Sequence, residues 1–429
     1  MRIVTRRLLA VAAAVAVTLP LTAAPAQAHG RTPYVKVGYF TQWGIYGRAF
    51  PVNNLQTSGA AARLTHINYA FSDVNAAGVC ASADPWADFD VPFSAESSVD
   101  GVADVAGQPL SGNLNQLAEL KARTPKLRVL ISLGGWTLSK YFSDAVATPA
   151  ARAKLVDSCV DLWLRGNVPG KAPGAAAGIF DGIDLDWEWP GSEGNAGNII
   201  RPEDKANFTA LLADFRAALD RLGRENRHKY ELTAFLPAAP AKIDAGFEVD
   251  RIFDYLDFGT VQGYDFHGSW ELRANQQSAL RVPAGAPDNP DFSVDSTINA
   301  WISRGAPRSE LVLGIPYYGQ GWTGVTGGLF GAATGPAPGT FAAGTEDWKR
   351  LKQLPAEGYR VIRDFRAGHT YLYDGTTFWT YDDPVQILQK TAYIRLKGLG
   401  GAMMWSLDGD DENATLTRTI DAGLWTPGR

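Results

Sequence analysis

The sequence predicts an α/β chain whose parallel strands close into a (β/α)8 barrel, a TIM barrel, with a small α+β insertion between strands seven and eight. Three observations lead there. Eight runs of strand-forming residues alternate with amphipathic helical stretches, the pattern of a parallel sheet wrapped by helices. The 429 residues exceed the about 250 that such a barrel needs, so insertions must decorate it. One strand pattern, Phe180-Asp181-Gly182-Ile183-Asp184-Leu185-Asp186-Trp187-Glu188, ends in a row of acids. Barrels of this kind carry their reactive groups at the C-terminal strand ends.

At the start of the chain, basic Met1-Arg2-Ile3-Val4-Thr5-Arg6-Arg7 precedes an apolar run from Leu8 that ends at Ala26-Gln27-Ala28, a small-residue cleavage pattern. Residues 1–28 therefore read as a secretory signal peptide, and 29–429 as the barrel of a secreted, extracellular protein. No later apolar run is long enough to span a membrane. Strands are expected at 35–40, 64–71, 127–133, 178–187, 230–236, 258–262, 311–315 and 399–405. Amphipathic helices are expected at 113–122, 150–164, 202–222 and 384–396. The largest insertion falls at 319–382, where a Gly-rich opening leads into short alternating apolar segments at 359–362 and 371–379 around the turn Asp374-Gly375. That composition fits a small α+β lobe better than a connecting helix.

A net charge of −5 with 20% charged residues argues against a nucleic-acid or anionic-membrane surface. Cys80 and Cys159 are the two cysteines, and an oxidising compartment would let them pair as a disulfide. The five histidines, at 29, 66, 228, 267 and 369, form no ligand motif. His66 and His267 fall in strand-like segments and read as hydrogen-bonded lining residues. No metal and no cofactor are expected.

Along a strand, side chains alternate faces and each residue advances about 3.3 Å, so Asp184, Asp186 and Glu188 point one way, roughly 6–7 Å apart. Ile183, Leu185 and Trp187 point the other way. Like charges and desolvation both disfavour ionising such a row. Close carboxylates titrate as a coupled set, so one can stay protonated near neutral pH and act as a general acid. D-x-D-x-E also resembles the start of a calcium loop, but those loops are polar and Gly-turned, whereas Leu and Trp intervene here. Trp43, Trp136, Trp189, Trp270, Trp322 and Trp405, six of 13 tryptophans, follow or end predicted strands on the same barrel face. Flat rings there suit the C–H faces of sugars, the alternative being that single members fill core or loop contacts.

The run Asp181-Gly-Ile-Asp184-Leu-Asp186-Trp-Glu188 resembles the D-G-x-D-x-D-x-E signature of glycoside hydrolase family 18, the chitinases and related endo-N-acetylglucosaminidases. Ser132-Leu133-Gly134-Gly135 resembles the family's S-x-G-G motif, and Gln262-Gly263-Tyr264-Asp265 its M-x-Y-D segment with Gln262 in the methionine position. Asn68-Tyr69-Ala70-Phe71 and the tail ending in Trp405 also fit, whereas Tyr318-Gly319-Gln320 places Gln320 where the family has arginine. Those two departures bear on subsite preference rather than on chemistry. The resemblance, which spans nearly all of the mature chain, implies that 29–429 is a catalytic domain whose insertion lobe walls one side of a cleft.

By the same resemblance, Glu188 is the acid and the substrate's own 2-acetamido oxygen is the nucleophile, a substrate-assisted variant of glycoside hydrolysis. Asp186 would stabilise the acetamido N–H, Asp184 would share a proton with Asp186, and Tyr264 would hold the carbonyl. Tyr39, Phe71, Trp136, Gln262, Asp265, Trp270 and Trp405 would bind substrate. Ser132 would support Asp184 together with Tyr39, and Asp181 would fix the start of the strand. The expected partner is chitin or chito-oligosaccharides, cut at β-1,4 linkages by a monomer. Two other readings stand beside it: an endo-β-N-acetylglucosaminidase acting on N-glycan cores, and a non-catalytic, lectin-like chitin-binding protein, from which the presence of Glu188 argues.

Overall fold

The computed structural model describes residues 34–287 and 292–425. The signal peptide expected at 1–28 lies outside the described residues. The barrel strands are β1 (Val35–Thr41), β2 (His66–Val74), β4 (Arg128–Gly134), β5 (Gly182–Asp186), β6 (Glu231–Leu236), β7 (Phe258–Val261), β8 (Leu311–Pro316) and β15 (Gly401–Trp405). A short β3 (Cys80–Ser82) pairs antiparallel to the end of β2. The eight barrel strands run parallel in the order β1-β2-β4-β5-β6-β7-β8-β15, and β15 pairs back to β1 to close the ring. This is the (β/α)8 barrel that the sequence predicts.

Strand alternation divides the apolar residues between two cores, as a closed barrel requires. Ile183, Leu185 and Trp187 join the large outer core between strands and helices, where Trp187 stacks on Phe142 at 5.3 Å and meets Phe208 at 6.2 Å. Val37, Tyr39, Phe235, Phe258, Val312 and Met403 fill the interior. The outer helices include Gly112–Arg123, Pro149–Cys159, Asp204–Asn226 and Pro384–Lys397. Pro149–Cys159 starts with the Thr148 side chain accepting from the Ala151 amide and with Pro149 at its first position, which satisfies a free N–H and presets the backbone.

Between β8 and β15 the chain forms a second, six-stranded antiparallel sheet. Its strands are β9 (Tyr318–Thr323), β10 (Gly335–Pro336), β11 (Thr345–Asp347), β12 (Arg360–Asp364), β13 (His369–Tyr373) and β14 (Phe378–Tyr381), with a helical turn Trp348–Leu351. Trp322, Val325, Tyr373 and Phe378 form a separate small core beneath it.

Two expectations need correction. The acid strand is shorter than 178–187: its pairing with β4 ends at Asp186 and that with β6 at Leu185, so Glu188 lies beyond the ladder. His267 is not in a strand, because β7 ends at Val261; its ring instead lies 3.0 Å from the Glu271 carboxylate.

Cys80 and Cys159 form a disulfide that ties β3 to the end of helix Pro149–Cys159, with Cα atoms 5.0 Å apart. It closes a long loop, so replacing both cysteines by serine should lower stability by about 2–4 kcal/mol in denaturant unfolding. Two titratable thiols in the unsubstituted protein, unfolded without reductant, would show that the bond does not form.

Candidate active site

The register of the barrel puts Ser132 on β4, Asp184 on β5 and Thr233 on β6 side by side. Neighbouring strands lie about 4.8 Å apart, so their inward side chains meet. Ser132 and Tyr39 each donate a hydroxyl hydrogen bond to Asp184 Oδ2 at 2.8 Å, and Thr233 donates to Oδ1 at 2.5 Å. Burial pushes the Asp184 carboxyl up, and these hydroxyls partly offset the shift by favouring the charged form.

One step further along the strand, Asp186 lies opposite Gly134. Gly134 has φ +106°, and a Cβ there would come within 2.5 Å of the Asp186 carbonyl oxygen; at Gly135, φ +77°, it would meet the Phe71 ring at 2.6 Å. Only glycine lets the β4 backbone turn this close to the acids and the aromatic floor. Ser139 accepts the Glu188 amide at 2.9 Å and donates to the Gly135 carbonyl at 2.8 Å, which sets the path of the chain past the end of β5.

Asp186 and Glu188 are hydrogen-bonded to each other. Burial, the Glu188 charge and the Asp184 charge hold Asp186 well above the usual carboxylate range. Burial pushes Glu188 up to about 8, against the lowering effect of the Lys242 ammonium and with a further rise from Asp265. Asp186 Oδ1 has no hydrogen-bond partner among the described residues. The hydrogen bond of Asp186 thus runs to Glu188, whereas Asp184 is taken up by hydroxyls. The pair can hold a proton above neutrality and turn a free acceptor oxygen toward a ligand.

The pair opens into a cleft of about 820 Å³. Tyr39, Phe71, Trp136, Asp186, Glu188, Gln262, Tyr264, Asp265, Trp270 and Trp405 all line it. Trp405 stacks on Phe71 at 5.7 Å and meets Tyr39 edge-on at 5.2 Å, forming an apolar floor. Trp43, Trp136 and Trp270 are 40%, 49% and 62% exposed, so their rings remain free to cover a ligand. Burial, followed by the Asp186 charge, raises the Tyr264 phenol well above its ordinary range and keeps it a hydrogen-bond donor. Asp265, at φ +55°, accepts from Gln320 Nε2 at 2.9 Å and bonds Tyr318.

Four sequence-predicted positions do not face the cleft. Ser132 and Asp184 lie beneath it. Asp181 lies at the other barrel end, where its carboxylate accepts from the Val129 amide and Lys121 Nζ, both at 2.8 Å, beside His228 at 3.3 Å. Trp322, grouped with the sugar-facing tryptophans, is instead fully buried in the second sheet's core and donates to the Glu271 carbonyl at 2.9 Å. Sequence reasoning missed Lys242, Phe235 and Tyr318. Phe235 was readable from its inward register on β6, and Tyr318 from its place beside Tyr317. A lone lysine on the short helix Pro240–Gly246 carries no such signal.

Buried acids held above the usual carboxylate range beneath flat rings are the arrangement that protonating a glycosidic oxygen would need. A family model described as Glycosyl hydrolases family 18 matches residues 35–410, and the chain belongs to that family. It is 42% identical over 405 residues to Chitinase 63 of Streptomyces plicatus, covering 91% of this chain and 60% of that protein. It is 36% identical to Chitinase A1 of Niallia circulans, covering 94% and 60%. The chain spans about 60% of the length of these curated relatives. The catalytic domain of psychrophilic chitinase B from Arthrobacter TAD20 superposes with a TM-score of 0.88 at 46% identity, covering 91% of this chain and 95% of that one.

If Glu188 is the proton donor it must be protonated to act, and kcat/KM should then fall as pH rises through about 8. A rate that keeps climbing well beyond that value would move the proton donor elsewhere.

Proposed function

We propose that this protein is a chitinase that hydrolyses β-1,4 linkages between N-acetylglucosamine units, with retention of configuration and with the substrate's acetamido group as nucleophile. The hydrogen-bonded Asp186–Glu188 pair carries this reading: it gives one acid at the scissile bond and one acceptor beside it, in a cleft walled by aromatic rings. Relatives and structural neighbours named as chitinases, at 36–46% identity, support the substrate class.

In the proposed reaction, Glu188 gives its proton to the bridging oxygen as the bond to the anomeric carbon breaks. The acetamido carbonyl oxygen attacks that carbon from the opposite face and forms an oxazolinium ring. Asp186, turning its acceptor oxygen to the acetamido N–H, favours the positive charge that develops, and Tyr264 positions the carbonyl. Glu188, now a base, takes a proton from water, which opens the ring and restores the acetamido group. Asp184 holds Asp186 in register from below. Holding the carbonyl under the anomeric carbon exploits proximity, where effective molarities reach about 10⁵ M or more.

The lobe at 319–382 is proposed as one wall of the cleft, through Gln320 and its bond to Asp265. Secretion is proposed from the cleavable N-terminal pattern together with the Cys80–Cys159 disulfide, which suits an oxidising compartment. The protein is proposed to act as a monomer. Release of a fluorophore from chito-oligosaccharides, compared with a high-mannose glycopeptide, separates this activity from that of an N-glycan-cleaving enzyme and from binding alone.

Replacing Glu188 by Gln keeps shape and hydrogen bonding but removes the proton. Turnover should drop by about 10²–10⁴-fold while oligosaccharide binding, measured by calorimetry, persists. Near-normal turnover would show that another group is the acid. Fully deacetylated chitosan should resist cleavage, a thiazoline analogue should inhibit, and Tyr264→Phe should lower kcat more than it raises KM. A covalent sugar ester on Asp186 would overturn the acetamido mechanism.

A further inference from the structure

Among the described residues that line the cleft, Lys242 is the one cation, and it shares the lining with Asp186, Glu188 and Asp265. It stands on the helix Pro240–Gly246 that follows β6, half-buried, with its ammonium 5.2 Å from the centre of the Trp189 ring. No ion pair or hydrogen bond fixes that ammonium among the described residues, so all three of its N–H donors remain available to a ligand.

Its place along the cleft follows from its neighbours. Trp189, on which it rests, is the residue after Glu188. The row runs Asp186, Glu188, Trp189 along the chain, and Lys242, packed on Trp189, stands at its Glu188 end. In the reaction proposed above, Asp186 grips the sugar whose anomeric carbon reacts, and Glu188 protonates the bridging oxygen. The far side of Glu188 then receives the leaving sugar.

We propose that Lys242 is a specificity-determining residue that excludes a cationic glucosamine unit from the leaving-group side of the cleft and favours an N-acetylated one there. A deacetylated sugar carries an ammonium at C2, and the negative charge that remains on the cleft's acids would by itself attract it. Lys242 opposes that attraction by like-charge repulsion, while its N–H groups can donate to the neutral carbonyl of an acetamido group. The acetamido group required on the other side of the cut concerns the attacking carbonyl; this second selection concerns the sugar that departs. It rests on the reading of Glu188 as the acid.

The sugar that departs becomes the new non-reducing end of a product, so the selection leaves a record. Partly deacetylated chitosan is digested with the native protein, with Lys242→Gln and with Lys242→Arg, and new non-reducing ends are identified by mass-spectrometric sequencing. The native protein and Lys242→Arg should yield N-acetylglucosamine at those ends well above its share of the polymer. Lys242→Gln should raise the glucosamine fraction about threefold or more, as expected for removing a unit charge partly screened by solvent. The fraction is read within one digest, so a slower variant does not alter it. With the native protein alone, raising salt from about 0.05 to about 1 M shortens the screening length and should raise the same fraction.

An unchanged glucosamine fraction in Lys242→Gln, or native ends that simply mirror the polymer, would overturn the proposal while leaving the chitinase reading intact. Failure of the native protein to cut fully acetylated chito-oligosaccharides would overturn both.

Discussion

Three hydroxyls converging on the Asp184 carboxylate hold the functional end of this barrel together. They come from β1, β4 and β6, so one buried acid ties three non-consecutive strands around the barrel interior. A buried carboxylate without such partners would be strongly destabilising. Because the strands are in register at Ser132, Asp184 and Thr233, the same bonds fix the height at which Asp186 emerges. Asp186, with its outward-facing neighbours Leu185 and Trp187 locked in the outer core, can then meet only what lies above it, which is Glu188.

The cleft around that pair is assembled from segments far apart in sequence. Arg48, in the loop after β1, bonds both oxygens of Asp347 on β11 at 2.9 and 2.8 Å. The same guanidinium lies 3.1 Å from Asp408 beyond β15 and 4.2 Å from the Phe341 ring centre. One side chain thus joins the loop that carries Trp43 to the inserted sheet and to the end of the last barrel strand. All three carboxylate contacts run through Nη1, so a single nitrogen ties together the loop after β1, the inserted sheet and the segment beyond β15.

Much of the fold was legible because periodicity and turn chemistry act locally. All eight barrel strands fall where alternating or fully apolar runs stand in the sequence. The inserted sheet announces itself by a Gly-rich opening and by the Asp374-Gly375 turn between β13 and β14. The errors came where local pattern is indifferent to pairing. The segment 178–187 reads as one strand because its residues alternate, yet pairing stops at Asp186. Trp322 reads as a ring for sugar because it follows a strand, yet the antiparallel strands β9 and β14 bring it against Phe378 at 5.9 Å.

The chemistry available is written along the chain: four acids at fixed spacing, glycines beside them, and tryptophans after successive strands. Spacing along a strand is a covalent property, so the common face of Asp184 and Asp186 needs no tertiary information. Tertiary structure alone decided how those acids share their protons. Whether an acid bonds hydroxyls, as Asp184 does, or another acid, as Asp186 does, depends on which strands stand beside it and at what register. The same holds for Lys242, an unremarked residue in the chain that acquires meaning only because its helix folds back over Trp189 beside the acid. Burial and charge proximity are properties of the closed barrel, and they set the electrostatics on which the chemistry turns.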